Sequence, residues 1–285
     1  MQGITQEVRL ITSMAKRVVL ACVLALGGCE SAGSSELQVV APDGCSDSDP
    51  AVVYRLTALH VPTPAEAAAG ATVGHDLDGV DDACDVHDYV GSVDNTLVDL
   101  AHAVAQLTPD DPIVMQDLMD QALFCTNADA GCTPQWVGAR VQECRRGAKV
   151  DVFRVTESAC EVLGTAATAG VGPGGELHAE FGTLLLDRAF EDAGGVDPFF
   201  QLVNVRLTAT ITANGLSNAV LGGVIPLAVF EAAIPGFLPS TPELEFPGPL
   251  LRLSDIGLEP GGECDGVSVG LTLSAAVEVE GESCE

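Results

Sequence analysis

Between Gly74 and Asp88 the chain reads Gly-His-Asp-Leu-Asp-Gly-Val-Asp-Asp-Ala-Cys-Asp-Val-His-Asp, and Asp94-Asn95 follow shortly after. Carboxylates packed this closely form a donor set for a hard cation, since calcium takes six to eight oxygen ligands from a tightly turned backbone. Asp76 and Asp78 stand two apart with Gly79 next, so the chain can curl and aim both at one point, and Asp82 and Asp85 would close the shell. Without a cation these like charges repel one another. An exposed acidic loop also needs no ion. A structural calcium site on Asp76, Asp78, Asp82 and Asp85 and a plain solvated loop therefore both stay open. A regular EF-hand is not expected, because Gly74 occupies its first ligand position and Asp85 replaces its closing Glu.

Histidine could turn such a loop from structure to catalysis. His60, His75, His87, His102 and His178 are the five in the chain, and His75 and His87 flank the acidic run. A metal-dependent hydrolase using Asp76, Asp78, Asp94 and a histidine of the 75–94 loop is the alternative reading. Other enzyme motifs are missing from the sequence. It has no H-E-x-x-H and no G-x-S-x-G, and Gly172-Pro173-Gly174-Gly175 lacks the Lys-Ser/Thr of a phosphate loop. The expectation is a non-enzymatic cell-envelope protein with a structural or binding role. Trp136 could mark a binding surface, although a lone Trp is more often a packing residue.

Location is written at the N-terminus. Lys16-Arg17 are followed by the apolar run Val18 to Leu26 and then Gly27-Gly28-Cys29. Charge, short apolar segment and small residues in that order make a secretory signal peptide, and the run is too short for a permanent membrane helix. Met14 is the more natural start, because it puts the charges in front. Leu26-Gly27-Gly28-Cys29 resembles the lipobox of bacterial lipoproteins position by position. That resemblance implies cleavage before Cys29, a diacylglycerol thioether on it and stable attachment to a membrane, since two or more acyl chains hold where one does not. Glu30 rather than Asp follows, which favours the outer membrane. The expected layout is a signal peptide over 1–28, a lipidated cysteine and tether over 29–48, and one β-rich domain over 49–285.

Composition agrees with export. Without residues 1–28 the chain keeps 9 of its 12 basic and 40 of its 41 acidic residues, a net charge of about −31. That field repels nucleic acid and favours divalent cations or basic partners. Cys45, Cys84, Cys125, Cys132, Cys144, Cys160, Cys264 and Cys284 remain after Cys22 and Cys29 are set aside, an even set that reads as up to four disulfides of open connectivity. The cluster from Cys125 to Cys160 could staple a loop-rich insertion. It lacks the close cysteine pair of a zinc site.

The elements that must position the acidic loop are mostly strands. Residues 52–61, 150–155, 176–187, 200–212, 250–258 and 267–279 carry strand patterns, clearest where Val203, Val205, Leu207, Ala209 and Ile211 alternate with polar residues. Asn214-Gly215 is a turn signal. Leu97, Leu100, Ala101, Val104 and Leu107 fall at helical spacing behind Thr96, with Asp99 at the capping-box position. A second helix is expected over 113–124, its methionines as core filler. A third is expected over 227–234, with Pro226 in its first turn. Together these predict a mainly β fold: an antiparallel β-sandwich-like domain with a small, disulfide-stapled helical insertion around 96–145.

Two resemblances attach to the loop. Asp76, Asp78, Gly79, Asp82, Cys84 and Asp85 resemble the calcium-binding repeat of thrombospondin type 3 over some ten residues. The longer set Val73 to Gly79, Cys84 and Val93-Asp94-Asn95, with the later Gly222-Gly223-Val224-Ile225, is similar to a family of uncharacterised secreted lipoproteins from myxobacteria and their relatives. The first implies calcium. The second implies export but no activity.

Overall fold

In a computed structural model of the chain, the structure describes residues 45–46, 49–69, 73–80, 84, 86–89, 91–107, 114–124, 135–186, 201–237, 254–259 and 262–278. The signal peptide, Cys29, most of the tether, Asp82, Asp85, Cys125, Cys132 and Cys284 lie outside the described residues. The chain runs β1 (Ala51–His60), α1 (Pro64–Ala68), α2 (Leu97–Leu107), α3 (Met115–Leu123), β2 (Gln135–Glu143), β3 (Ala148–Thr156), β4 (Cys160–Thr165), β5 (Thr168–Val171), β6 (Glu176–Leu185), β7 (Gln201–Thr212), β8 (Gly215–Pro226), α4 (Leu227–Phe237) and β9 (Gly266–Val277). No helix among the described residues is long and apolar enough to cross a membrane.

The nine strands among the described residues form one sheet in the order β4-β3-β2-β1-β9-β8-β7-β6-β5, and every pairing is antiparallel. Its two end strands are neighbours in sequence. Ala166 and Ala167 join them, the first donating its N–H to Val150 O at 2.8 Å and the second to Glu180 O at 2.7 Å. One bent run of chain thus serves both ends, and the sheet curls round into a barrel-like form in which β4 touches β6. The expected two-sheet sandwich is corrected to this single curled sheet. Strand alternation requires one face to be dry. A sheet can meet that requirement by facing a second sheet or by facing itself.

The dry face is the concave one. Leu202, Val205, Leu207 and Ala209 of β7 and Val267, Val269 and Leu271 of β9 are all buried in the same core. α3 closes against β1 and β2, burying Met115, Met119 and Leu123. The Gln116 side chain donates to Leu59 O at 2.7 Å and accepts from Val61 N at 2.8 Å, so one amide ties α3 to the end of β1. The methionines are core filler, as expected.

Several local expectations shift. The helical segment ends before the expected 145, because Gln135–Glu143 is a strand beside β1. Cys144 does not staple that segment. It pairs with Cys45 and ties the chain ahead of β1 to the β2–β3 turn, while Cys84 pairs with Cys264. Cys160 is also disulfide-bonded. The Thr96–Asp99 capping box does not form: Thr96 N donates to Ser268 Oγ at 2.8 Å, and Asp99 accepts from the Tyr89 hydroxyl at 3.2 Å. Pro226 ends β8 and the helix starts after it. Residues 254–259 hold an isolated bridge, Ile256 to Gly266, where a strand was expected.

Candidate metal centre

The acidic loop lies on the convex face, over β8 and β9. Gly222 and Gly270 are cross-strand partners there and make a flat place in the sheet. A Cβ at Gly222 would stand 2.7 Å from the His75 ring, and one at Gly270 would run into Val73 O, the Asn95 amide and Gly74. The glycines are needed for this approach. Asn95 then fills the role of a strand residue, donating from Nδ2 to Val73 O at 2.8 Å and to Gly270 O at 3.0 Å and accepting from Gly270 N at 3.0 Å. Next to it Ser268 accepts from Thr96 N, and Asp255 accepts from both the backbone and the hydroxyl of Ser268. Burial pushes the Asp255 carboxyl up, against those hydrogen bonds. The Cys84–Cys264 disulfide fastens the far side of the loop.

Within that frame the loop folds back on itself. His75 bridges to Asp94, whose N–H donates to His75 O at 3.1 Å, and Tyr89 bridges to Val93. Asp76 Oδ1 accepts from Gly79 N at 2.6 Å, where Gly79 takes the left-handed φ of +76°. Asp78 Oδ1 accepts from Val80 N at 2.8 Å, and Asp94 Oδ2 accepts from Leu77 N. The Arg206 guanidinium of β7 donates to Asp76 O. Side-chain oxygens on short local turns are what Asp residues do in tight loops.

These turns bring Asp76, Asp78 and Asp94 together, with one oxygen of each within 4.8 Å of the others. Asp76 is exposed, Asp78 lies at the solvent boundary and Asp94 is 1% exposed. Burial pushes the Asp94 carboxyl up to about 7, opposed by the Leu77 N–H and helped by the charges of Asp88, Asp78 and Asp255. An all-carboxylate set suits a hard divalent ion, calcium, magnesium or manganese, over a soft one. The exposed flank leaves room for water or a further ligand. Beside it, an open cleft of about 300 Å³ is lined by Leu77, Glu180, Asn204 and Arg206.

Of the four aspartates expected at the site, Asp76 and Asp78 converge, and Asp82 and Asp85 fall outside the described residues. Asp94, named in the sequence only for the hydrolase alternative, is the buried member. Asn95 beside it pins the segment to the sheet. His75 takes a different place. Its Nε2 faces Val220 O at 3.3 Å and its ring packs on Gly222. Burial lowers its pKa, which favours the neutral ring. Trp136 is partly buried in an edge-to-face contact with Phe153 at 5.5 Å, under Arg55. No protein-family model matches this chain, and neither the curated proteins nor the solved structures contain a significant match to it.

Proposed function

We propose that this chain is a membrane-anchored envelope lipoprotein whose β-domain binds a divalent cation on Asp76, Asp78 and Asp94. The observation that carries the cation reading is the convergence of three carboxylates, one of which, Asp94, is buried without a basic partner among its charged neighbours. Calcium is the proposed ion, with Asp82 and Asp85 as the further carboxylates that the loop supplies. The anchor reading rests on Leu26-Gly27-Gly28-Cys29, with lipid on Cys29.

Calorimetry of the EDTA-stripped protein with calcium and with magnesium tests the site. One calcium per chain and a rise in melting temperature are expected. No heat and no change in melting on chelation would sink it. Mass spectrometry of the mature N-terminus tests the anchor, which an unmodified Cys29 would overturn.

The second reading is a metal-dependent hydrolase at the same site, favoured by the exposed flank of the carboxylates and the cleft beside Leu77 and Arg206. His75 Nε2 donates to Val220 O, so Nδ1 is the one nitrogen of that ring left to act as a base. In this reading the ion supplies the activated water. Cation-dependent turnover of p-nitrophenyl esters or phosphates, lost in Asp78→Asn, would establish it. Cation binding without turnover would leave the binding role alone.

A further inference from the structure

On the concave side of the sheet, away from the acidic loop, the core is incompletely filled. A cavity of about 50 Å³ lies between β1, β2, β3, β6, β7, β8 and β9, with Leu123 of α3 on its wall. No polar atom faces it. Its walls include Leu207 and Leu221, but also Ala139, Ala219 and Ala275, where longer side chains would close the space. Tyr54 is the one aromatic residue among its lining. A closed sheet of about eight strands is just wide enough to be filled by its own side chains or to hold one small ligand. Here the alanines leave it between those cases.

We infer that this bore is a binding site for the end of an alkyl chain. The chemistry of the walls selects the ligand. An apolar cavity of this kind stays dry, and a hydroxyl, amide or charge inside it would find no partner. A saturated hydrocarbon end loses nothing on entry, and its polar head stays outside. Size sets the depth of entry. The cavity is roughly a third of the 150 Å³ that holds benzene, so the last carbons fit as it stands and more enter when Leu123 turns away. Leu123 stands at the far end of α3 from Gln116, whose two hydrogen bonds fasten the start of the helix to β1, so the Leu123 end can move while that start stays fixed.

The site does not depend on the cation reading, because the two lie on opposite faces of the sheet. The test is calorimetric titration of the mature chain with dodecanoate, with dihexanoyl-phosphatidylcholine and with glycerol, each with and without EDTA. Dodecanoate is expected to bind with a dissociation constant on the order of micromolar, unchanged by EDTA, and glycerol is expected to give no heat. Binding of dodecanoate alone assigns free fatty acid, and binding of both amphiphiles assigns lipid chains in general. Ala219→Leu fills the bore and should weaken binding about tenfold or more with the melting temperature kept or raised. Leu123→Ala removes atoms from the wall and should tighten binding about threefold. It decides the matter if the first variant does not fold. No binding of either amphiphile, or affinities that neither variant moves, overturns the inference.

Discussion

Asp151 and Asp94 are both aspartates buried on the convex face of one sheet, and the protein treats them in opposite ways. Asp151 sits in β3 with Arg140 Nη2 at 2.7 Å, Lys149 Nζ at 3.4 Å and the Thr165 hydroxyl at 2.8 Å. Burial pushes its carboxyl up, but Arg140, Thr165 and Lys149 more than offset this and hold it below the usual range. Asp94 has the Leu77 N–H and three neighbouring carboxylates, and it is pushed up to about 7. The chain sets basic groups beside one carboxyl and further carboxylates beside the other. That contrast, more than the number of acids in the loop, is what the proposed ion site rests on.

The comparison can be broken from either side. The largest effect should come from Gly270→Val, which drives a side chain into Val73 and Asn95 and lifts the loop from the sheet. We expect a loss of about 3 kcal/mol in denaturant unfolding together with loss of calcium binding, while Asp151 keeps its partners. Calcium binding that survives the substitution would show that the glycine pair does not position the site. Next is Arg140→Met. Breaking a buried pair costs roughly 3–5 kcal/mol, but Arg140 is 28% exposed and Lys149 remains, so about 2 kcal/mol is expected. A smaller effect with the reverse sign belongs to Asp94→Asn. In EDTA it should stabilise by about 1 kcal/mol, because the Leu77 bond survives and the repulsion goes. With calcium the same variant should show no stabilisation by the ion. Equal destabilisation in both media would mean that Asp94 is structural only.

The smallest effect is in pH, and its sign differs between the two aspartates. Asp94 has a folded value raised above its unfolded one. Its contribution is present below about 4 and is lost as the pH rises through about 7. Asp151 has a lowered folded value, so its contribution is present above about 4 and is lost as the pH falls below that. In EDTA the chain should therefore melt lower at pH 8 than at pH 5.5, and calcium should remove that difference. Asp94→Asn should reduce it without calcium, leaving the part that belongs to Asp255, whose carboxyl is also raised by burial. Melting curves that keep the slope in that variant would assign it to another group.

Much of the sheet could be read from the chain, and the misses share a cause. Strand β7 and helix α2 carry apolar residues at the right period, so packing and local pattern agree. Strand β8 was hidden by Gly222-Gly223, which look like a turn. They are there because His75 lies on one and Val205 packs against the other. Strands β4 and β5 are six and four residues long, too short for a period to stand out. The acidic loop was legible as a donor set, since Asp76, Asp78 and Gly79 show their turn chemistry in sequence. Asp94 as the buried ligand was not, because its burial comes from strands more than a hundred residues away. The Thr96 capping box failed for the same reason: Ser268 reaches the N–H first.

The place of β9 also sets a timetable. It is the last strand among the described residues, yet it lies between β8 and β1, with Tyr54 opposite Val277 and His60 opposite Thr272. The β1–β4 and β5–β8 halves of the sheet cannot join through β9 until Gly266–Val277 has been made. At about 5–20 residues per second, β1 waits roughly 10–50 s after synthesis for this second partner, β2 having been made earlier. Contacts of such sequence separation also form slowly. β1 and β8 therefore find this shared neighbour late in folding, and the Cys84–Cys264 disulfide joins the acidic loop to the segment just ahead of that strand.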